Sequence, residues 1–221
     1  MTSLPHEPQR QAMVDTCLAM NRTGINQGTS GNLSIRVEGG FLITPTSLAY
    51  EAMTPADPVV MDFDGGWRGA RRPSSEWRFH RDILKARPEV GAVLHAHPTF
   101  ATALAVHGRG IPAFHYMVVR AGGDSIRCAP YATFGTQELS DHAVAALEGR
   151  RACLLAHHGM IALGETAEAA LALAVEVEAL ARQYLYAHLL GAPPLLPPEE
   201  IERVAERMRL MAYGEAAPSP T

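Results

Sequence analysis

Met13, Val14, Cys17, Leu18 and Met20 recur at helical spacing between about Gln9 and Arg22, and Gly24 follows as a stop signal, so the chain opens on a predicted helix. The pattern then changes. NLSIRV and FLITPT are short β-rich runs joined by Glu38, Gly39 and Gly40, and VVMDFDGGW carries an Asp-Gly-Gly turn, which predicts hairpins of a sheet. Ser74 or Ser75 is placed to N-cap a helix running to about Ala86 and ended by Arg87-Pro88, after which VGAVLHAHP reads as a buried strand. Thr99 to Val106 suggests a short helix. IPAFHYMVV, SIRCAPY and CLLAHHGMIAL read as three more strands, with GTQELSDHAVAALEGR a helix between the last two. The longest helical pattern runs from Thr166 to Leu190, closed by Gly191, and PPLLPP leads to a final helix around Glu199 to Met211. Helices and hairpins are interspersed without the regular βαβ rhythm of a dinucleotide-binding sheet. The expected fold class is α/β, a single layered α/β/α domain around a mixed, largely antiparallel central sheet. The expected catalytic domain spans 1–214, with 215–221 (EAAPSPT) a flexible tail.

Composition narrows the chemistry. A chain of 221 residues buries about two-thirds of its unfolded surface and needs no disulfide or metal staple, so a metal found here is free to be catalytic. The 19 basic residues against 23 acidic ones form no stripe that would follow a phosphate backbone, which argues against nucleic acid as a partner. Cys17, Cys128 and Cys153 are odd in number, widely spaced and outside any C-x-x-C pair, which reads as reduced thiols. MTSLPHEPQR lacks an apolar leader core, and no stretch has the ~20 apolar residues of a bilayer span. The expectation is a cytoplasmic protein without a membrane partner. Lys85 is the only lysine and reads as a solvated charge near a helix end, which leaves a Schiff-base mechanism little to work with.

Metal chemistry has better material. His95 and His97 flank Ala96 at the end of a predicted strand, where period-two alternation sends both imidazoles to one face. Taken alone, the triplet is equally compatible with two core histidines satisfied by hydrogen bonds. His158, in LLAHHGMIA, is a third candidate at another strand end. Gly159 beside it allows close backbone approach or an unusual turn, and His157 is left to the opposite face or the surface. Glu76 sits at a helix start, where a carboxylate is favoured by the macrodipole and capping is its ordinary role. Three histidines and one carboxylate nonetheless make a tetrahedral zinc set, and a carboxylate that can leave the metal becomes a base in place. GTSGN (Gly28 to Asn32), the run Thr44 to Ser47, and Ser74-Ser75 at a helix N-terminus offer hydroxyls, an amide and backbone N–H groups to an anion. Each of these more commonly marks a loop, and their joint appearance is what suggests a phosphate cradle.

GTSGNLSIR, LITPTSLAYE, PSSEWRFH, LHAHP, IPAFHYMV, AGGDSI, CAPYATFGT and HHGMIA, in this order, resemble the class II aldolase/adducin-head family over nearly the whole chain. The resemblance implies Zn²⁺, one per subunit, held by Glu76, His95, His97 and His158, with Glu76 also the catalytic base. It implies phosphate binding at Gly31, Asn32, Thr46, Ser47, Ser74 and Ser75, with Ser47 standing where the family has glycine. Tyr116 matches a proton-donating tyrosine contributed by a neighbouring subunit, and Tyr213 resembles a mobile C-terminal catalytic tyrosine. The partners implied are a phosphorylated ketose and further copies of the chain in a homotetramer with active sites at subunit interfaces. The reaction implied is reversible aldol cleavage of L-fuculose 1-phosphate to dihydroxyacetone phosphate and L-lactaldehyde. Pentulose-phosphate 4-epimerases are the first alternative, although they carry aspartate where this chain has Glu76. Sugar-phosphate dehydratases of the methylthioribulose type are a second. A non-catalytic interaction module like the adducin head is a third, and it would be expected to have lost the ligands present here. An amidohydrolase barrel would need a longer chain.

Overall fold

The computed structural model describes residues 4–211. One eight-stranded sheet runs in the order β4-β3-β2-β1-β5-β8-β7-β6. Its strands are β1 (Asn32–Val37), β2 (Gly40–Ile43), β3 (Val59–Met61), β4 (Trp67–Arg68), β5 (Ala92–Ala96), β6 (Arg127–Ala129), β7 (Ala152–Leu155) and β8 (Gly159–Gly164). All neighbours are antiparallel except β6 and β7, so the sheet is mixed and largely antiparallel, as expected. Helices α1 (Glu7–Arg22), α3 (Thr99–Ala105) and α5 (Ala167–Ala187) cover one face, and α2 (Trp77–Ala86) and α4 (Gln137–Ala146) cover the other. A last helix, α6 (Pro198–Leu210), packs beside the 3₁₀ segment Tyr116–Ala121.

Side-chain alternation sorts the strands between two cores. Leu33, Ile35, Leu94 and Ala96 go to the α1/α5 side, whereas Phe41, Ile43, Val93 and Ile161 go to the α2/α4 side. Helix α5 presents Ala170, Leu173, Ala174, Val177 and Ala181 along one buried stripe, and its alanines let the backbone lie close to the sheet. With both faces covered, the central strands β5, β7 and β8 are buried at every position.

Three elements differ from the sequence expectation. IPAFHYMVV forms no strand: only Ile111 bridges to Ile126, and Tyr116–Ala121 is a 3₁₀ helix burying Met117, Val118 and Ala121. Its start is held by His115, whose ring nitrogen accepts from the Met117 N–H. Apolar content alone did not separate that spacing from a strand. CLLAHHGMIAL is not one strand but the hairpin β7–β8, turning at Ala156 to His158. The last turn predicted for α5 is 3₁₀, His188–Leu190. The expected boundary at residue 214 and the tail 215–221 lie outside the described residues.

Candidate metal centre

Strands β1, β5 and β8 lie side by side at the centre of the sheet, with α2 laid across them. His95 is the fourth residue of β5, and His97 follows one residue beyond its end. Alternation places both on the α2 side with Val93, as expected. His158 ends the β7–β8 turn. His157 before it takes a left-handed backbone at φ 54, which turns the chain so that His158 faces the other two imidazoles. Gly159 cannot carry a side chain here: a Cβ would stand 2.4 Å from the Ala96 carbonyl oxygen and 2.6 Å from His97 Cδ2. Of the two roles the sequence allowed Gly159, the structure takes the close approach. Three and four residues after His97 in the chain, the Phe100 and Ala101 N–H groups donate to the Glu178 carboxylate of α5, which fixes the start of α3.

The three rings stand at the corners of a triangle, each pair with centroids 4.8 Å apart. Their ligand-capable nitrogens all lie within 4.8 Å of one another. Glu76 comes in from the start of α2, with Oε2 3.2 Å from His95 Nε2 and Oε1 3.3 Å from His158 Nε2. Glu76 is itself the N-cap residue of α2, but its side chain does not cap; Ser74 Oγ accepts the Glu76 N–H instead. His95 Nδ1 lies 2.9 Å from the Met160 carbonyl oxygen, which only an N–H can satisfy, so Nε2 carries the lone pair. Glu76 Oε1 is buried without a hydrogen bond. A buried carboxylate oxygen left unpaired beside three converging imidazole nitrogens is costly on its own and fits a divalent cation.

Electrostatics agree with that donor set. Burial and the neighbouring His95 push His97 and His158 down to about 4, so both keep their lone pairs near neutral pH. Burial alone would raise the Glu76 carboxyl, but the facing His95 and His158 rings and the Asn32 amide outweigh it and hold it well below the usual range. Glu76 is ionised.

A cavity of about 380 Å³ opens over Glu76, His97 and His158, and His95 lies beneath it, fully buried. Gly31, Asn32, Thr46, Ser47, Ser74 and Ser75 all line it, so the six residues expected around a phosphate converge on one space. No lysine or arginine is among the lining residues. The positions are not equivalent. The Gly31 N–H donates to Asn26 Oδ1 at 2.9 Å, and a Cβ there would strike Asn26 and the His95 carbonyl, so Gly31 shapes the loop and its N–H is already engaged. Asn32 Nδ2 donates to Glu76 Oε2 at 2.9 Å, with a second N–H left for another acceptor. Ser47 has φ 58, the left-handed conformation that glycine adopts without strain.

Tyr116 does not line the cavity; it sits on the 3₁₀ segment, 47% exposed. Tyr213 lies outside the described residues. Sequence reasoning did not single out Tyr131 and Phe134, which are exposed aromatic rings on the cavity wall; His157, left there to the opposite face or the surface, is exposed and also lines the cavity, its ring meeting Tyr131 edge-on. Their signal was two aromatic residues in a turn-like stretch, YATFG, where no core needs them.

A model of the "Class II Aldolase and Adducin N-terminal domain" family matches residues 11–185. The chain is 55% identical over 211 residues to a 5-methylthioribulose-1-phosphate/5-deoxyribulose-1-phosphate aldolase of Rhodospirillum rubrum, covering 96% of each chain. It is 50% identical over 203 residues to the L-fuculose phosphate aldolase of Escherichia coli K12, covering 91% of this chain and 94% of that one. Among solved structures, an L-fuculose 1-phosphate aldolase superposes with a TM-score of 0.90 at 38% identity, over 93% of this chain and 98% of the other.

Proposed function

This chain belongs to the class II aldolase and adducin N-terminal domain family and is a carbon–carbon lyase of the metal-dependent aldolase type, and from that premise we propose that it cleaves a ketose 1-phosphate with an apolar tail into dihydroxyacetone phosphate and an aldehyde. The observation that carries this reading is the convergence of Glu76, His95, His97 and His158 on the floor of a cavity ringed by hydroxyls. These four side chains would hold the metal, and zinc is the ion assigned, because imidazole and carboxylate in a compact set suit it. When bound, the ion supplies Lewis-acid stabilisation of the negative charge that develops on the substrate oxygens as the C3–C4 bond breaks.

The protein's own groups supply the rest. Thr46, Ser47, Ser74 and Ser75 hold the phosphate at the N-terminus of α2, where hydroxyls and the helix macrodipole stabilise a dianion without a lysine. Gly31 shapes that loop and Asn32 offers its remaining N–H. Anchoring the phosphate orients the reacting carbons over Glu76. In the condensation direction ionised Glu76 takes the proton from the hydroxymethyl carbon of dihydroxyacetone phosphate, and Tyr116 of a neighbouring subunit protonates the aldehyde oxygen. The position of Tyr116, half exposed and outside its own chain's cavity, supports an oligomeric active unit, for which we infer a homotetramer.

The substrate's tail is the finer question. The relative at 55% identity favours 5-methylthioribulose 1-phosphate or 5-deoxyribulose 1-phosphate, and the one at 50% keeps L-fuculose 1-phosphate as the second reading. All three present the same phosphorylated keto head and end in an apolar carbon, which Tyr131 and Phe134 suit. Epimerisation and dehydration are less favoured, since the close relatives are aldolases and Glu76 is retained. A non-catalytic role is less favoured because the whole ligand set is present. The test is the rate of dihydroxyacetone phosphate release from each of the three ketose phosphates by zinc-loaded protein. Release with the highest kcat/KM for the methylthio or 5-deoxy substrate is expected, and no release from any of them would overturn the reading.

A further inference from the structure

His80 is fully buried on α2, one helical turn after Glu76, and the chemistry above makes no use of it. Its ring is wedged between Ser34 and Asn32, two polar residues at alternate positions of β1. Their cross-strand partners on β5 are Val93 for Ser34 and His95 for Asn32, so this buried polar strip runs beside the metal-ligand strand. His80 Nε2 is 2.5 Å from Asn32 Oδ1, Ser34 Oγ is 2.8 Å from His80 Nδ1, and Asn32 Nδ2 is 2.9 Å from Glu76 Oε2.

For a neutral His80 ring, only one assignment of hydrogens satisfies all three contacts. An ionised carboxylate can only accept, so Asn32 turns its NH₂ toward Glu76 and its carbonyl toward His80. His80 must then donate from Nε2, and its Nδ1 accepts from the Ser34 hydroxyl. The chain is therefore polarised in one direction, from Ser34 through His80 and Asn32 to Glu76. The reversed imidazole tautomer would set a lone pair against the Asn32 carbonyl, and an amide flipped in response would set its oxygen against the carboxylate. Burial keeps His80 neutral, as this arrangement requires, pushing it down to about 3.

We propose that His80 is a positioning residue for Glu76: with its ring held by Ser34 at Nδ1, it locks the Asn32 amide so that Oε2 is tethered and Oε1 is presented to the metal centre and to the substrate proton. This rests on the aldolase reading for its kinetic part, though its effect on metal affinity does not. Oε1 is the buried oxygen with no hydrogen bond of its own, which is the state expected of the one that works. Outer groups that orient metal ligands typically matter by about 10- to 100-fold in affinity or activity.

The experiment compares wild type with His80→Leu, His80→Gln and Ser34→Ala. Three quantities are measured: zinc dissociation constants by chelator competition, kcat and KM at saturating zinc, and exchange of the dihydroxyacetone phosphate carbon-bound proton in D₂O. His80→Leu is expected to weaken zinc binding about tenfold and to lower kcat and proton exchange together by about 10- to 100-fold, with KM changed less than about threefold. His80→Gln, whose amide can place an N–H near the Nε2 position, should recover most of the loss. Ser34→Ala should lose several-fold in kcat. A folded His80→Leu protein with wild-type zinc affinity and proton exchange would overturn the proposal, and so would a folded His80→Gln no better than His80→Leu. Should His80→Leu fail to fold, wild-type exchange in Ser34→Ala would overturn it instead. If wild type releases no dihydroxyacetone phosphate, the functional reading fails, and the zinc constants alone judge His80.

Discussion

In the proposed reaction Glu76 concentrates the chemistry in one side chain, ionised, buried and tethered through one oxygen only. Glu76→Gln keeps the size and the proposed hydroxyl cradle but removes the proposed base, so kcat is expected to fall by about 10²- to 10⁴-fold while the KM for the ketose phosphate moves little; steady-state kinetics at saturating zinc checks this. Ser47 illustrates a different economy. Its left-handed backbone costs a non-glycine residue roughly 1–2 kcal/mol, which Ser47→Gly relieves at some cost in unfolded-chain entropy. The expected result is a denaturation midpoint equal to or above wild type. Gly159→Ala should do the opposite, because its methyl group meets backbone at Ala96 and the His97 ring. Lower thermal stability together with weaker zinc binding is the expected pair of readouts.

At the scale of elements, the site is where β1, β5, the β7–β8 turn and the start of α2 meet, and loss of one proposed ligand should be felt by the whole set. His97→Ala is expected to lower bound zinc, measured by elemental analysis of dialysed protein, and activity in proportion. The metal-free centre also sets an acid limit. His80, His97 and His158 are depressed from 6.5 to about 3, about 4 and about 4. Well above pH 6.5 these groups are neutral in both folded and unfolded chains and contribute nothing to the pH dependence. Below it the unfolded chain takes up protons that the folded one refuses, so stability falls as pH falls. Urea midpoints of metal-free protein should therefore drop between pH 6.5 and 4.5, with a shallower slope in His80→Gln. This scale also shows where local pattern suffices. The hairpin β1–β2, the helix α2 and the strand β5 were legible because alternation or helical spacing was regular there. The 3₁₀ segment after His115 and the turn at His157 were not, because a side-chain cap and a single left-handed residue interrupted runs that look uniformly apolar.

For the molecule as a whole, the position of Tyr116 decides how many chains make one site. If a neighbour supplies it, a protein carrying Glu76→Gln and one carrying Tyr116→Phe are each impaired, and co-assembled from equal amounts they should recover activity in about a quarter of the sites. A mixture no more active than its parts would place the proton donor elsewhere. The layered α/β/α architecture could be expected from the order of elements, since each face of a central sheet needs a helical cover.

From residue identities alone came the candidate donor set. His95-Ala96-His97 at a strand end, His158 beside a glycine, Glu76 after two serines and the hydroxyl-rich loops are local features, fixed by covalent spacing and by the period of a strand or helix. Only the tertiary structure decided that β1 and β5 are neighbours with α2 across them. That arrangement brings Asn32 to Glu76 across 44 positions of sequence and Ser34 to His80 across 46. Local periodicity is set within a turn or two of chain, whereas strand order is set by which buried faces pack together. The polar pair Asn32 and Ser34 in an otherwise apolar strand, and His80 four residues after Glu76, signalled that buried hydrogen bonds had to be made, but not with which partners.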